Sequence, residues 1–303
     1  MKIGVTSGVI GNPNATLDDL VAEVAAAEGD GFAFYSLPNI FGVDAITALA
    51  IAGRETRRIE LATGVVPTPP RHPTAIAQQA LTAQAASGGR FVLGIGLSHK
   101  IVIEDMFGLS YARPARQMRE YLEILAPLLN GKPAAFQGEI YRTQAQIQVA
   151  GADPVPILVA ALGPLMLKVA GELADGTATW MTGVQTLADH TVPTITAAAR
   201  DAGRPAPRIV AALPIALTED EDAAREAANQ SFAIYGTLPS YRAMLDREGV
   251  EGPGGVALVG DEATLRADLA RLRDAGVTHL AASIFPAGEG SIERTRAFLR
   301  SEL

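Results

Sequence analysis

ILVAALGPLMLKVAGELADGTATWM, residues 157–181, decides the fold. It opens on a short apolar run, Ile157–Ala161, that reads as a strand. Gly163 lets the chain turn. Pro164 suits the first position of a helix, where its missing N–H would have no partner anyway. The helix is expected over Pro164–Ala174. Asp175-Gly176 then turns the chain into a second strand, Thr177–Met181. Strand, helix and strand in this order predict a parallel sheet wrapped in helices.

The same unit repeats outward in both directions. Toward the N-terminus, strands are expected at Lys2–Val9, Phe32–Leu37, Ile59–Val66 and Phe91–Leu97. The helices between them run from the Thr16 cap to about Gly29, over Ala45–Arg54 behind Asp44, and over Thr74–Ala86. Ser87-Gly88-Gly89 stops the last of these. A loop of about 16 residues follows the fourth strand, then a helix over Pro114–Leu129 and a hairpin over Ala135–Val149. Toward the C-terminus come a helix over Leu187–Ala202 and a strand at Ile209–Leu217. Helices at Asp220–Tyr235 and near Pro239–Glu248 follow, with a loop at Gly252–Gly255. The helix Thr264–Ala275, the strand His279–Phe285 and a closing helix from Ser291 complete the chain.

Eight strands, each followed by at least one helix, is the count that closes a (β/α)8 TIM barrel. Insertions are expected after strands 4 and 7. An open doubly wound sheet is the runner-up, but no Gly-x-Gly-x-x-Gly turn follows the first strand. No linker is visible, so residues 1–303 read as a single domain.

Composition narrows the function. The 303 residues carry a net charge of −8, 48% hydrophobic residues, four histidines and no cysteine. There is no thiolate nucleophile, disulfide framework or cysteine metal site. Acidity argues against a nucleic-acid partner. No apolar run is long enough to span a bilayer. No spacing resembles a metal site. A cytoplasmic location is expected.

In such a barrel the active site lies at the C-terminal strand ends. At Leu162-Gly163-Pro164-Leu165-Met166, the free N–H groups of Leu165 and Met166 make an anion site suited to a phosphate. The alternative is an ordinary strand-to-helix turn. Gly94 and Gly96 share one face of strand 4 and leave room either for a ring or for close packing. Ser98 and His99 follow at the strand end, and His99 is a candidate for moving a proton. In Thr63-Gly64-Val65 and the proline-rich loop to Pro73, Arg71 is a permanent cation and His72 sits extended before Pro73. Each also has a structural reading. Trp180 and Met181 either line a pocket or fill the core. Lys100 reads as solvated, and His190 and His279 as structural. The polar chemistry is thin, which suits a cofactor enzyme.

Together these segments resemble the luciferase-like family, especially its branch that uses the deazaflavin coenzyme F420. The resemblance is carried by Leu61-Ala62-Thr63-Gly64-Val65, by Arg71-His72-Pro73, and by Ser87-Gly88-Gly89-Arg90-Phe91-Val92-Leu93-Gly94-Ile95-Gly96. Ala161-Leu162-Gly163-Pro164-Leu165-Met166 and Ala174-Asp175-Gly176-Thr177 add to it. It implies that Leu162 to Met166 bind the cofactor phosphate. It also implies a cis Gly64–Val65 peptide, next to Thr63, against the ring, with Gly96, Ser98 and His99 beside it. Many deazaflavin relatives carry Ser-Asp-His after strand 2, whereas this chain has Ser36-Leu37-Pro38. His99 and His72 are therefore the candidates for proton transfer. Ser36, Arg71 and Trp180 are the candidates for substrate contact.

Three functions remain open at this stage. The first is an F420-dependent oxidoreductase acting on an enone, imine or ketone. The second is a two-component monooxygenase using FMN. The third is a non-catalytic barrel that binds a flavin. All three take a small molecule, and the resemblance implies a homodimer.

Overall fold

In the computed structural model, which describes residues 1–8, 12 and 14–303, eight parallel strands close into a barrel. They are β1 (Lys2–Thr6), β2 (Phe34–Leu37), β3 (Glu60–Thr63), β4 (Phe91–Gly96), β5 (Ile157–Ala160), β6 (Gly176–Trp180), β7 (Arg208–Leu217) and β8 (His279–Ile284). Each pairs with the next. β8 returns to β1 in the register Lys2↔His279 to Val5↔Ala282. The fold is a (β/α)8 TIM barrel.

Local sequence starts and stops the surrounding helices. Thr16 and Asp19 form a reciprocal capping box at the helix Leu17–Gly29. Asp44 and Asp261 cap the helices Ala45–Glu55 and Glu262–Asp274. Gly88 ends the helix Pro73–Ser87 at φ 64°, in the left-handed region open to glycine.

Alternation along the strands separates two cores. Ile3, Val5, Tyr35, Leu61, Leu93 and Val159 belong to the large core under the helices. Phe34, Ala62, Val92, Leu158, Val210 and Ala281 form the inner cluster of the barrel. The inner layer is built largely from small residues. Gly4 has no room for a side chain, because a Cβ there would lie 2.5 Å from the Phe34 ring. Phe34 and Arg208 form the floor. The Arg208 guanidinium lies 5.6 Å from the Phe34 ring centroid and pairs with Glu60 at 2.5 Å. His279 packs edge-on to Phe34. Burial, with the charges of Arg208 and Lys2, pushes the His279 imidazole down to about 3.

Several boundaries differ from expectation. The strand expected over Ile59–Val66 breaks after Thr63, and Val66–Pro67 resumes pairing with β4. The helix expected over Asp220–Tyr235 is α-helical only over Glu221–Ser231, then 3-10 over Ala233–Gly236. That break turns Phe232 toward Trp180 and Phe285, against which its ring packs edge-on. The helix expected over Leu187–Ala202 begins earlier, at Val184, and widens to a π turn over Leu187–Thr191. Pro193, just beyond, has no N–H to continue a regular ladder. A short strand, Leu258–Gly260, was not expected; it pairs with the outer half of β7.

The hairpin is confined to Ala134–Gln137 and Arg142–Ala145. β1 ends at Thr6, and Val9 of the expected strand lies outside the described residues. The extra elements after β4 and β7 are the two expected insertions. Among the described residues, no helix is long and apolar enough to cross a membrane.

Candidate active site

A cavity of about 1140 Å³ opens at the C-terminal ends of the strands and runs down the axis to Arg208. One wall joins β3 to β4. The Gly64–Val65 peptide there is cis. The ladder between these strands lapses after Ala62↔Val92 and resumes at Val66↔Ile95. Thr63 fills the gap with its side chain. Its hydroxyl donates to the Gly94 carbonyl and accepts from the Gly94 N–H, both at 2.8 Å. A Cβ on Gly94 would meet the Thr63 carbonyl at 2.0 Å, and one on Gly96 would meet Val65 at 2.9 Å. Of the two readings of these glycines, close packing holds at both. A Cβ on Gly64 would lie 2.3 Å from the Ser36 hydroxyl. Ser36 thus packs on this wall and lines the cavity.

The second wall is the start of the helix Pro164–Leu173. Gly163 precedes it in extended conformation, and no side chain caps it. Nothing lies within 4 Å of where a Gly163 Cβ would be. Leu162, Gly163 and Met166 line the cavity, whereas Leu165 points to solvent at 69% exposure. Pro164 is also exposed. Of Leu165, therefore, only the backbone N–H can contribute here. The turn is held from behind by His190, which is buried and donates from Nε2 to the Leu162 carbonyl at 2.8 Å. A carbonyl only accepts, so Nε2 carries the proton.

The third wall carries the loop after β3. Arg71 lines the cavity but pairs with Asp44 at 2.9 Å. Burial raises the Asp44 carboxyl; hydrogen bonds from Thr47 and the Arg71 charge outweigh it and hold the group below its ordinary value. His72 is not brought to the cavity. Its Nδ1 accepts from the Thr74 N–H as the cap of the helix Pro73–Ser87, and its ring packs on Tyr141. This corrects the expectation that His72 moves a proton in the site, because the proline that follows it starts a helix.

The fourth wall is aromatic. Trp180 packs edge-on to Phe232 and Tyr235, and Tyr235 to Tyr241. The His99 ring lies 5.5 Å from that of Tyr241. Burial lowers the His99 pKa, so the imidazole is neutral at pH 7. Ser98 stands in the left-handed region at φ 60°, and its carbonyl accepts from the Tyr111 hydroxyl at 3.0 Å.

Sequence reasoning missed Tyr111, Tyr235 and Tyr241. All three lie on the insertions after β4 and β7, so the expected positions of those insertions were the available signal. Ser7, at the C-terminal end of the first strand, lines the cavity and donates to Glu23, a carboxylate that also accepts from Tyr35. Among the described residues, no group of His, Asp and Glu could hold a metal ion.

The wall geometry fits a planar ring carrying a phosphate. Gly64, Val65 and Gly96 form one tightly packed wall of the cavity, and open space surrounds an uncapped helix start across it.

A family model described as luciferase-like monooxygenase matches residues 2–279. The chain is 34% identical over 192 residues to a Mycobacterium tuberculosis protein whose name describes a coenzyme F420-dependent oxidoreductase. That match covers 58% of this chain and 54% of the relative, little more than half its length. Identity to 5,10-methylenetetrahydromethanopterin reductase of Archaeoglobus fulgidus is 32% over 252 residues, 78% of this chain and 72% of that protein. Among solved structures, the coenzyme F420-dependent tetrahydromethanopterin reductase of Methanopyrus kandleri aligns with a TM-score of 0.82 at 24% identity. That alignment covers 100% of this chain and 98% of the other, and it shows the shared fold.

Proposed function

The chain belongs to the luciferase-like monooxygenase family, and on that premise we propose that it is an F420-dependent oxidoreductase acting on a small carbonyl compound. The observation that carries the reading is the uncapped helix start at Gly163, open to the same cavity as the packed Gly64–Gly96 wall. The name of the Mycobacterium tuberculosis relative supports the choice of cofactor.

In this reading the N–H groups of Leu165 and Met166 hold the cofactor phosphate, with Leu162, Gly163 and Pro164 shaping the turn. Thr63, Gly64 and Val65 back the ring, and Gly96, Ser98 and His99 flank it. When bound, reduced F420 supplies a hydride. The chain's own groups do the rest. Apolar walls exclude water, and Ser36 and Trp180 contact the substrate. His99, being neutral, donates an N–H hydrogen bond to the carbonyl oxygen where negative charge develops. Arg71 serves as a fixed part of the wall, because Asp44 holds it. An enone or ketone meets these requirements, and an imine would present its nitrogen in place of the oxygen.

We also infer that residues 1–303 act as one domain, in the cytoplasm, as a homodimer. Resemblance to the family supports the dimer, and sedimentation equilibrium tests it.

Thermal stability with F420 and with FMN, added separately, tests the cofactor. A ligand at about 100 times its dissociation constant adds roughly 2.7 kcal/mol to the folded state. A rise with F420 alone is expected. A rise with FMN alone would replace this reading with a two-component monooxygenase. Binding of F420 without turnover of any acceptor would leave a deazaflavin-binding barrel.

A further inference from the structure

Charge at the cavity is fully spoken for. Arg71 and Arg208 are the lysine or arginine residues on its lining among the described residues. Asp44 holds the first at 2.9 Å and Glu60 the second at 2.5 Å. Val9, Ile10, Gly11 and Pro13, outside the description, are uncharged in the sequence. An anionic group entering the cavity away from the Gly163 turn would meet no free cation. Burying an unpaired charge costs several kcal/mol.

The mouth is the reverse. Ile40, Phe41, Phe107 and Ile234 line the cavity while remaining 53%, 64%, 41% and 64% exposed. Phe41 and Phe107 come from the segments after β2 and β4 and meet edge-on, 6.2 Å between centroids. Large apolar side chains left in water around one opening mark a surface that a ligand covers.

From this arrangement we propose that the substrate is a neutral, apolar ketone or aldehyde, or the matching alcohol, and that the site discriminates against anions. The proposal rests on the oxidoreductase reading above. In the reducing direction the carbonyl carbon gains the hydride, its oxygen gains one proton, and the deazaflavin is oxidised.

The test is calorimetric titration with 2-butanone, 2-hexanone, 2-octanone and octanoate, on the protein alone and on the protein saturated with F420. Trp180, the single tryptophan of the chain, lines the cavity and reports by fluorescence whether the ligand enters it. Affinity is expected to rise about fourfold for each added CH2. Octanoate, matched in length to 2-octanone, is expected to bind about a hundredfold more weakly. A flat ketone series, or octanoate binding as tightly as 2-octanone, overturns the proposal.

Asp44→Asn sharpens the test, because asparagine caps a helix as well as aspartate while releasing the Arg71 charge. Octanoate should then gain about tenfold, with 2-octanone changed less than about twofold. No gain for octanoate would remove paired arginine as the reason for discrimination. If F420 fails to bind while the ketone series holds on the protein alone, the cofactor reading falls and the substrate class stands. If F420 binds and the series is flat, the reverse is true.

Discussion

Two helices begin at the rim of the same cavity, and their first turns are treated in opposite ways. At Ala45–Glu55, every early donor with a partner finds it within the protein. Asn39 accepts from the Ala45 N–H, and Asp44 accepts from the Thr47 N–H while pairing with Arg71. At Pro164–Leu173, no side chain caps the helix, and open space lies where a Gly163 side chain would be. The same physics of orphan N–H groups operates at both ends. One end is closed by a carboxylate from its own chain. The other has no side-chain cap, and His190 holds its shape from behind.

The sharpest way to break this contrast is Gly163→Asp. The new carboxylate would cap the helix as Asp44 does. Cofactor affinity should fall by at least about a hundredfold, since the added charge both fills and repels. Thermal stability without cofactor should rise, by about 0.5 kcal/mol. Unchanged affinity for F420 would remove the phosphate assignment. Next in size is His99→Ala, which takes away the neutral donor and leaves both helix starts intact. Turnover should fall about a hundredfold with little change in cofactor affinity. Equal turnover would show that the proton comes from elsewhere.

His190→Ala should loosen the Leu162 carbonyl and weaken F420 binding by about tenfold. His190→Gln can restore the donor and should recover part of the loss. A merely structural role would lower the melting temperature in both variants alike, without moving cofactor affinity. Asp44→Ala opens the closed helix start and should cost about 1 kcal/mol of stability, read by denaturant melts.

Acid makes the same change more gently. The Asp44 carboxyl sits below its ordinary value in the fold. Its contribution is therefore present above the ordinary carboxylate range and lost as pH falls through and below it. Stability curves of the wild type and Asp44→Asn should converge there. A constant offset down to low pH would deny the Asp44 linkage.

Much of the barrel was legible because its signals are local. Apolar runs, caps such as Thr16 and Asp44, and stops such as Ser87-Gly88-Gly89 act within a few residues. The Gly163-Pro164 turn was legible for the same reason. His72 was not, because an exposed residue before proline reads alike whether it faces a cavity or caps a helix. Phe232 and Trp180 were not separable from core, because an aromatic ring has no sequence mark for which side it buries. Gly94 and Gly96 were found, but whether they made space or closed it depended on Thr63 and Val65, about 30 residues away.

The sequence by itself determined the order of eight strands and their helices, and hence the end of the barrel where chemistry would sit. It determined the uncapped turn at Gly163, since proline and glycine act through their own backbone. Only the tertiary structure decided which charges are free. Arg71 meets Asp44, Arg208 meets Glu60 across 148 residues of chain, and the neutrality of His99 follows from burial. Coulomb and desolvation energies depend on distance in space and on access to water, and neither is written along a chain.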